Sequence, residues 1–357
     1  MMVRHSVFSS SPFDRAAIQL LLIVASIVAA FFPGQVANSQ SDDSSALPMP
    51  STDQIVVRKD GATRTRTVSG TIEDISGQTI VLRRPGNTVD VVKLRDVVTL
   101  RFQKSAGYDE GLRRIRERDW KSALPLLKAA AASEPRKWVV REIYASTAET
   151  QRALGQFEEC LTTIENILTD DPDSRHVVEL PLVWDERLSP QQRIALKVED
   201  LNSRSPARQL CAASALLHDQ ELQPAAIASL QTLKQTRRGV FQQLTETQLW
   251  RIRLLQPDAL REAEINQWSQ QAKFFDRRTR SGPEFIIGRA LLQIHDYDNA
   301  ATSLLWMPLL EPLDPPTTAA SLADAITALE MSGRTMEAAR LRIEIPPTLP
   351  QQLPANK

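Results

Sequence analysis

Four histidines, two cysteines and a few runs of like charge are the residues any chemistry would have to use. None falls at a spacing that a reaction needs. No Gly-x-x-x-x-Gly-Lys-Ser/Thr or Gly-x-Gly-x-x-Gly run is present to cradle a phosphate. No Gly-x-Ser-x-Gly elbow presents a nucleophile, and no His-Glu-x-x-His or Cys-x-x-Cys pair has metal-ligand spacing. His5 precedes an apolar run, His176 follows Asp173, and His218 and His295 each stand before an Asp. A histidine at a helix C-terminus is favoured by the helix dipole alone, so structural roles are expected for them. Asp170, Asp171 and Asp173 lack the Gly and distal Glu of a calcium loop and read as a solvated turn. Cys160 and Cys211 read as two core thiols, with a disulfide between them as the alternative. Arg237-Arg238 and Arg277-Arg278-Arg280 read as solvated loops, with docking of an acidic partner as the alternative. No catalytic residue, cofactor or metal is expected, and the chain is not expected to be an enzyme.

What must position such residues follows from composition. The 357 residues suffice for two or three domains, and 42% are apolar, enough for a packed core. The 43 Lys and Arg balance the 43 Asp and Glu. A neutral chain has no global field to draw it to phosphate backbones, so nucleic-acid binding is not expected.

Arg4, His5 and Arg15 precede an apolar run from Ile18 to Phe32, followed by Ala37-Asn38-Ser39. Charge, apolar run and small residues in that order make residues 1–39 an export signal. The run is short against the roughly 20 residues of a spanning helix. An uncleaved N-terminal anchor is the alternative, and only then is a membrane partner expected. Residues 40–51 are rich in Ser, Pro and Asp and read as a linker.

Residues 52–104 carry short β-branched segments separated by turn residues: Gln54–Arg58, Thr67–Ile75, Thr79–Leu82, Val89–Leu94 and Val97–Phe102. The stretch from Gly70 to Leu82 resembles the central hairpin of Sm-like and SH3-like barrels, which implies a small all-β barrel-like module. RNA binding is not carried over, because a basic, aromatic surface is lacking.

From residue 105 onward the chain reads as amphipathic helices, and four segments align. In the first three, Arg118-Asp119-Trp120, Gly155-Gln156-Phe157 and His295-Asp296-Tyr297 each precede a small residue, Ala123, Cys160 or Ala300. A proline follows that small residue twelve positions later, at Pro135, Pro172 and Pro312. The fourth, Gly333 to Ala338, is degenerate. The spacing suits two antiparallel helices that meet at a tight turn. The small residue lies where they come closest, the aromatic opens the second helix, and the proline stops it. Pro125 lies inside one such helix and is expected to kink it.

This pattern resembles the tetratricopeptide repeat family. The second segment carries the resemblance best, through Tyr144, Ala148, Gly155, Phe157, Cys160, Ile164, Ile167 and Pro172. Gly111, Trp120, Ala123, Leu127 and Ala130 carry it in the first, and Gly288, Tyr297, Ala300 and Leu304 in the third. The first two small residues are 37 apart, against the family's period of about 34. Ser205-Pro206 opens a helix similar to those of HEAT-like repeats, and further helices are expected over 224–234, 241–255 and 259–275. The five tryptophans Trp120, Trp138, Trp250, Trp268 and Trp306 are expected to pack between hairpins.

The expected fold is mainly α: an α-solenoid of tetratricopeptide-like hairpins behind the β-module. Hairpins are placed at 105–173 and 281–346, an irregular helical region at 174–280, and a tail at 347–357. The resemblance implies that the first helices of the hairpins line a surface that binds a protein or peptide partner. It assigns to that surface Glu142, Ala145, Glu149, Arg152 and Ala153 in the second segment. In the third it assigns Phe285, Arg289, Leu292 and Gln293. An exported scaffold or adaptor follows as the expected function, with a membrane-anchored assembly factor or an enzyme subunit as alternatives.

Overall fold

The computed structural model describes residues 52–58, 64–187, 196–256 and 260–344. The export segment 1–39, the linker 40–51, the Ser189-Pro190 helix start and the tail 347–357 lie outside the described residues. Among the described residues, no helix is long and apolar enough to cross a membrane.

The chain is mainly helical, with one small antiparallel sheet near its N-terminus. The strands are β1 (Asp53–Val57), β2 (Arg66–Ser76), β3 (Thr79–Arg83), β4 (Val89–Lys93) and β5 (Val97–Arg101), in the order β4-β3-β2-β1-β5. Alternation puts Val68, Ile72, Ile80 and Leu82 on one buried face, and a bulge between Ile72 and Asp74 brings Ile75 to the same face. That face is sealed by the first helices: α1 (Ala106–Arg116), α2 (Trp120–Ser133) and α3 (Lys137–Ala153). Phe102, Tyr108, Leu127, Trp138 and Ile143 share its core. Sheet and first helices therefore bury one another.

Polar bonds fix the joint. The Trp138 indole donates to the Ile72 carbonyl at 3.0 Å. Arg141 pairs with Asp74 and donates to the Ile75 carbonyl at 2.9 Å. The Gly77 N–H donates to both carboxylate oxygens of Asp171, at 2.9 and 3.1 Å. Asp171 is thus buried and spent on the sheet, which corrects the solvated turn expected for it.

The remaining helices are α4 (Phe157–Asp170), α5 (Pro206–Leu216), α6 (Gln223–Thr236), α7 (Gly239–Leu254), α8 (Glu262–Ala272), α9 (Ser281–Gln293), α10 (Tyr297–Leu304), α11 (Trp306–Leu309), α12 (Pro315–Met331) and α13 (Thr335–Glu344). Four hairpins pair α1 with α2, α3 with α4, α9 with α10 and α12 with α13. Their turns are built alike. Each passes through one left-handed residue: Arg118 at φ 59°, Gly155 at 74°, His295 at 65° and Gly333 at 81°. The N–H of that residue donates to the carbonyl three back, and the following N–H to the carbonyl five back, at 2.8–3.1 Å. This double bond closes a helix C-terminus by using carbonyls the helix leaves open. Five positions after the left-handed residue comes Ala123, Cys160, Ala300 or Ala338, each with no exposed surface. One turn past two of them the helices all but touch. A Cβ added to Gly111 would lie 2.8 Å from Leu127, and one added to Gly288 would lie 2.5 Å from Leu304.

Two prolines behave differently. Pro125 does not end α2, which runs on to Ser133. In the third hairpin α10 ends early, at Leu304, and the short α11 follows. Pro308 has no N–H to offer the Leu304 carbonyl four residues back, and the Ser321 hydroxyl donates to it instead at 2.7 Å. Between the hairpins, Trp250 and Trp268 stack at 5.4 Å and help fill the core.

Gly155 and Gly333 face open space, so a side chain there meets only its own backbone. Gly155→Ala is expected to cost about 1 kcal/mol through its positive φ. A urea midpoint unchanged from wild type would contradict this account of the turn.

Candidate functional site

Between α4 and α5 the chain leaves helical structure. Residues 175–179 form a 3-10 turn, and residues 180–185 have no regular structure. Yet all ten residues from His176 to Asp185 are buried. Buried irregular backbone must find hydrogen-bond partners outside a ladder or a helix. Here the helices supply them. The Cys160 thiol donates to the Glu179 carbonyl at 3.3 Å. The Val183 N–H donates to the Ser214 hydroxyl oxygen at 2.9 Å. Pro181 has no N–H to satisfy.

The side chains of this strap join helices far apart in sequence. Arg175 and the His176 Nε2 meet the Glu142 carboxylate of α3 at 2.8 and 3.0 Å. Burial would raise the Glu142 carboxyl, but the charges of His176 and Arg175 outweigh it and hold it well below the usual range. Glu179 binds Arg152 of α3 at 2.8 Å and Arg278 at 2.7 Å. Trp184 lies flat on Gly282 of α9, where an added Cβ would come within 2.2 Å of its ring. Arg289 of α9 binds Glu186 at 2.6 Å. Arg187 bridges Asp185 and Asp324 of α12 at 2.6 and 2.7 Å.

The residues assigned to a partner surface are therefore placed as follows. Phe285 is fully buried, and so offers no surface to a partner. Glu142, Arg152 and Arg289 are spent on the strap, and Gln293 donates to the Leu254 carbonyl at 3.2 Å. Ala145 is buried. The strap lies along positions of α3 and α9 that the tetratricopeptide resemblance gives to a bound peptide. Glu149 alone of the named polar residues makes no hydrogen bond or ion pair among the described residues. Its half-buried carboxyl is pushed up to about 7 by burial and by the charge of Glu179.

The arginine cluster at 277–280 is also committed. Arg277 binds Glu311 at 2.8 Å, Arg278 binds Glu179, and Arg280 binds Glu284 while lying 3.8 Å over the Trp306 ring. Trp138, Trp250 and Trp268 are buried, whereas Trp120 and Trp306 are partly exposed. Cys160 and Cys211 are free and buried, and burial raises both thiols. Among the described residues no cluster of His, Cys, Asp and Glu could hold a metal. A cleft of about 490 Å³ opens between β2 and the start of α3, but its Glu73 pairs with Arg83 and its Asp74 with Arg141.

The strap itself went unread in the sequence. Its signal is an apolar run, Val177-Val178 and Leu180 to Trp184, that keeps no helical period and contains Pro181. Trp184 is the tryptophan missing from the helical pattern because it belongs to no helix.

Glu149 sets a pH test. An unfolded Glu titrates near 4.3, below its folded value of about 7. Between these values the folded chain holds the extra proton. The group's contribution is therefore full below about pH 4 and lost as pH rises through 7. Glu149→Gln should stabilise the fold at pH 8 by on the order of 1 kcal/mol and have little effect at pH 4. Thermal melts at both pH values check this; a destabilised variant at pH 8 would contradict it. Trp184→Ala is expected to cost about 3–5 kcal/mol in a denaturant titration; a loss under 1 kcal/mol would show that the strap is dispensable. No family model, curated protein or solved structure matches the chain.

Proposed function

We propose that the chain is an exported scaffold of the tetratricopeptide kind, which holds a protein or peptide partner and performs no catalysis. The observation that carries this is the fourfold recurrence of one turn. A left-handed residue, the same pair of backbone bonds and a fully buried small residue five positions on recur in four hairpins. Such recurrence is what a repeat array requires, because each unit buries its face only against its neighbours. Partner binding is the use to which exposed helix rows of such arrays are put. The export half rests on the charged, apolar and small-residue order of residues 1–39.

A membrane-anchored assembly factor is the second reading, favoured by the apolar run at 18–32. N-terminal sequencing separates the two. The exported scaffold should begin near Gln40 in the soluble extracytoplasmic fraction, and the anchored form should keep Met1 or Met2 and sediment with membranes.

Tagged full-length protein recovered from that fraction is expected to bring down a partner that, once purified, rebinds it at micromolar or tighter Kd. Recovery of the chain in the cytoplasm with its N-terminus intact, and without such a partner, would overturn the proposal.

A further inference from the structure

An open sheet has two edge strands, here β4 and β5. They are built differently. β5 carries an extra residue, Val98, opposite the step from Val56 to Val57 of β1, and such a bulge blunts an edge. β4 keeps step with β3 along its whole length, from Val89 opposite Arg83 to Lys93 opposite Thr79. The bonds just beyond its two ends settle which of its groups face outward. The Arg84 N–H donates to the Thr88 carbonyl and the Leu94 N–H to the Gln78 carbonyl, both at 2.8 Å. In an antiparallel ladder bonded pairs alternate with unbonded ones. Asp90 and Val92 therefore bond β3, and the N–H and C=O groups of Val89, Val91 and Lys93 point to the open edge.

The side chains of the same three residues share the outer face of the sheet, opposite to that of Ile80 and Leu82. Val91 is 66% exposed and Val89 45%, although a β-branched side chain in a sheet gains by packing on a neighbour. Val91 stands opposite Val81 of β3, so the apolar row is two strands wide at its centre. Lys93 is exposed beside them and forms no ion pair among the described residues. Asp90, on the other face, is taken by Arg84. An in-step apolar edge with an unfilled row of donors and acceptors is a template for one more strand.

We propose that β4 is a docking edge for an extended segment of a partner protein, which adds to the sheet and carries two apolar residues and an acid at alternate positions. Backbone bonds to Val89, Val91 and Lys93 hold the added strand, and its alternate side chains set specificity. The two apolar side chains cover Val89 and Val91 as cross-strand neighbours. The acid meets Lys93. An exposed ion pair contributes little, so the acid selects among strands, while backbone bonds and apolar cover hold the one selected. This surface lies on the β-module, outside the helical hairpins, and stands or falls separately from the scaffold reading.

The test uses the purified full chain and fluorescent seven-residue peptides, Thr-Val-Thr-Val-Thr-Glu-Thr and its reverse order, titrated by anisotropy. Each has a twin with Lys in place of Glu, and two twins N-methylated at alternate residues in the two possible phases. One phase blocks the bonds to β4 and the other faces solvent. One of the Glu peptides should bind, and one N-methyl phase should weaken it about tenfold or more while the other leaves it nearly unchanged. Val91→Lys should weaken binding about tenfold, and Lys93→Glu should reverse the preference between the Glu and Lys peptides. Both substitutions are at exposed positions, and thermal melts confirm that the variants fold. Equal binding of the two N-methyl twins, or binding indifferent to Val91→Lys, overturns the docking edge. So does the absence of binding by every peptide. Sedimentation of wild type as a dimer that Val91→Lys dissociates would then assign the edge to a second copy of the chain. None of these outcomes touches the scaffold reading.

Discussion

Ten consecutive residues with no α-helix or strand stay buried only where their polar groups find partners beyond a regular ladder. That constraint governs the 176–185 strap and, through it, the rest of the molecule. Ser214, Cys160, Arg152, Arg278 and Arg289 are held by five different elements, yet each bonds the strap or the residue just after it. The consequence is coupling. A stack of hairpins touching only nearest neighbours would lose stability locally. Here α3, near one end of the chain, is tied by a few charged pairs to α9 and α12, near the other.

Charge does much of this tying, but apolar packing sets its geometry. Trp184 against Gly282 leaves no room for any other residue at 282 and fixes the depth of the strap. Arg152 and Glu179 are both under a tenth exposed, so neither can be removed without stranding the other. The sheet is tied in the same manner. Trp138 and Arg141 project from α3 into β2, and Asp171 at the end of α4 takes the Gly77 turn. One helix, α3, thus carries the sheet at its start and the strap along its length.

The strap also bears on the proposed scaffold. Positions that the tetratricopeptide resemblance gives to a ligand are occupied here by the chain itself, with carboxylates on arginines and an aromatic ring on a bare backbone.

Local rules were legible in the sequence because they depend on neighbours a few residues away. Alternating β-branched residues marked all five strands, and Ser205-Pro206 marked the start of α5. Small residues at a fixed distance past a turn marked the helix crossings at Ala123, Cys160, Ala300 and Ala338. The early end of α10 was missed, although Pro308 was visible, because its outcome depended on Ser321 reaching the open carbonyl. The roles of Asp171, Glu142, Arg152 and Arg289 were not legible at all. A charged side chain has no local signature that tells water from a partner 20 or 100 residues away, and a run such as residues 176–185 specifies burial without specifying against what. Only the tertiary arrangement pairs those charges, because the energy of each pair depends on distance and on exclusion of water, and the sequence by itself fixes neither.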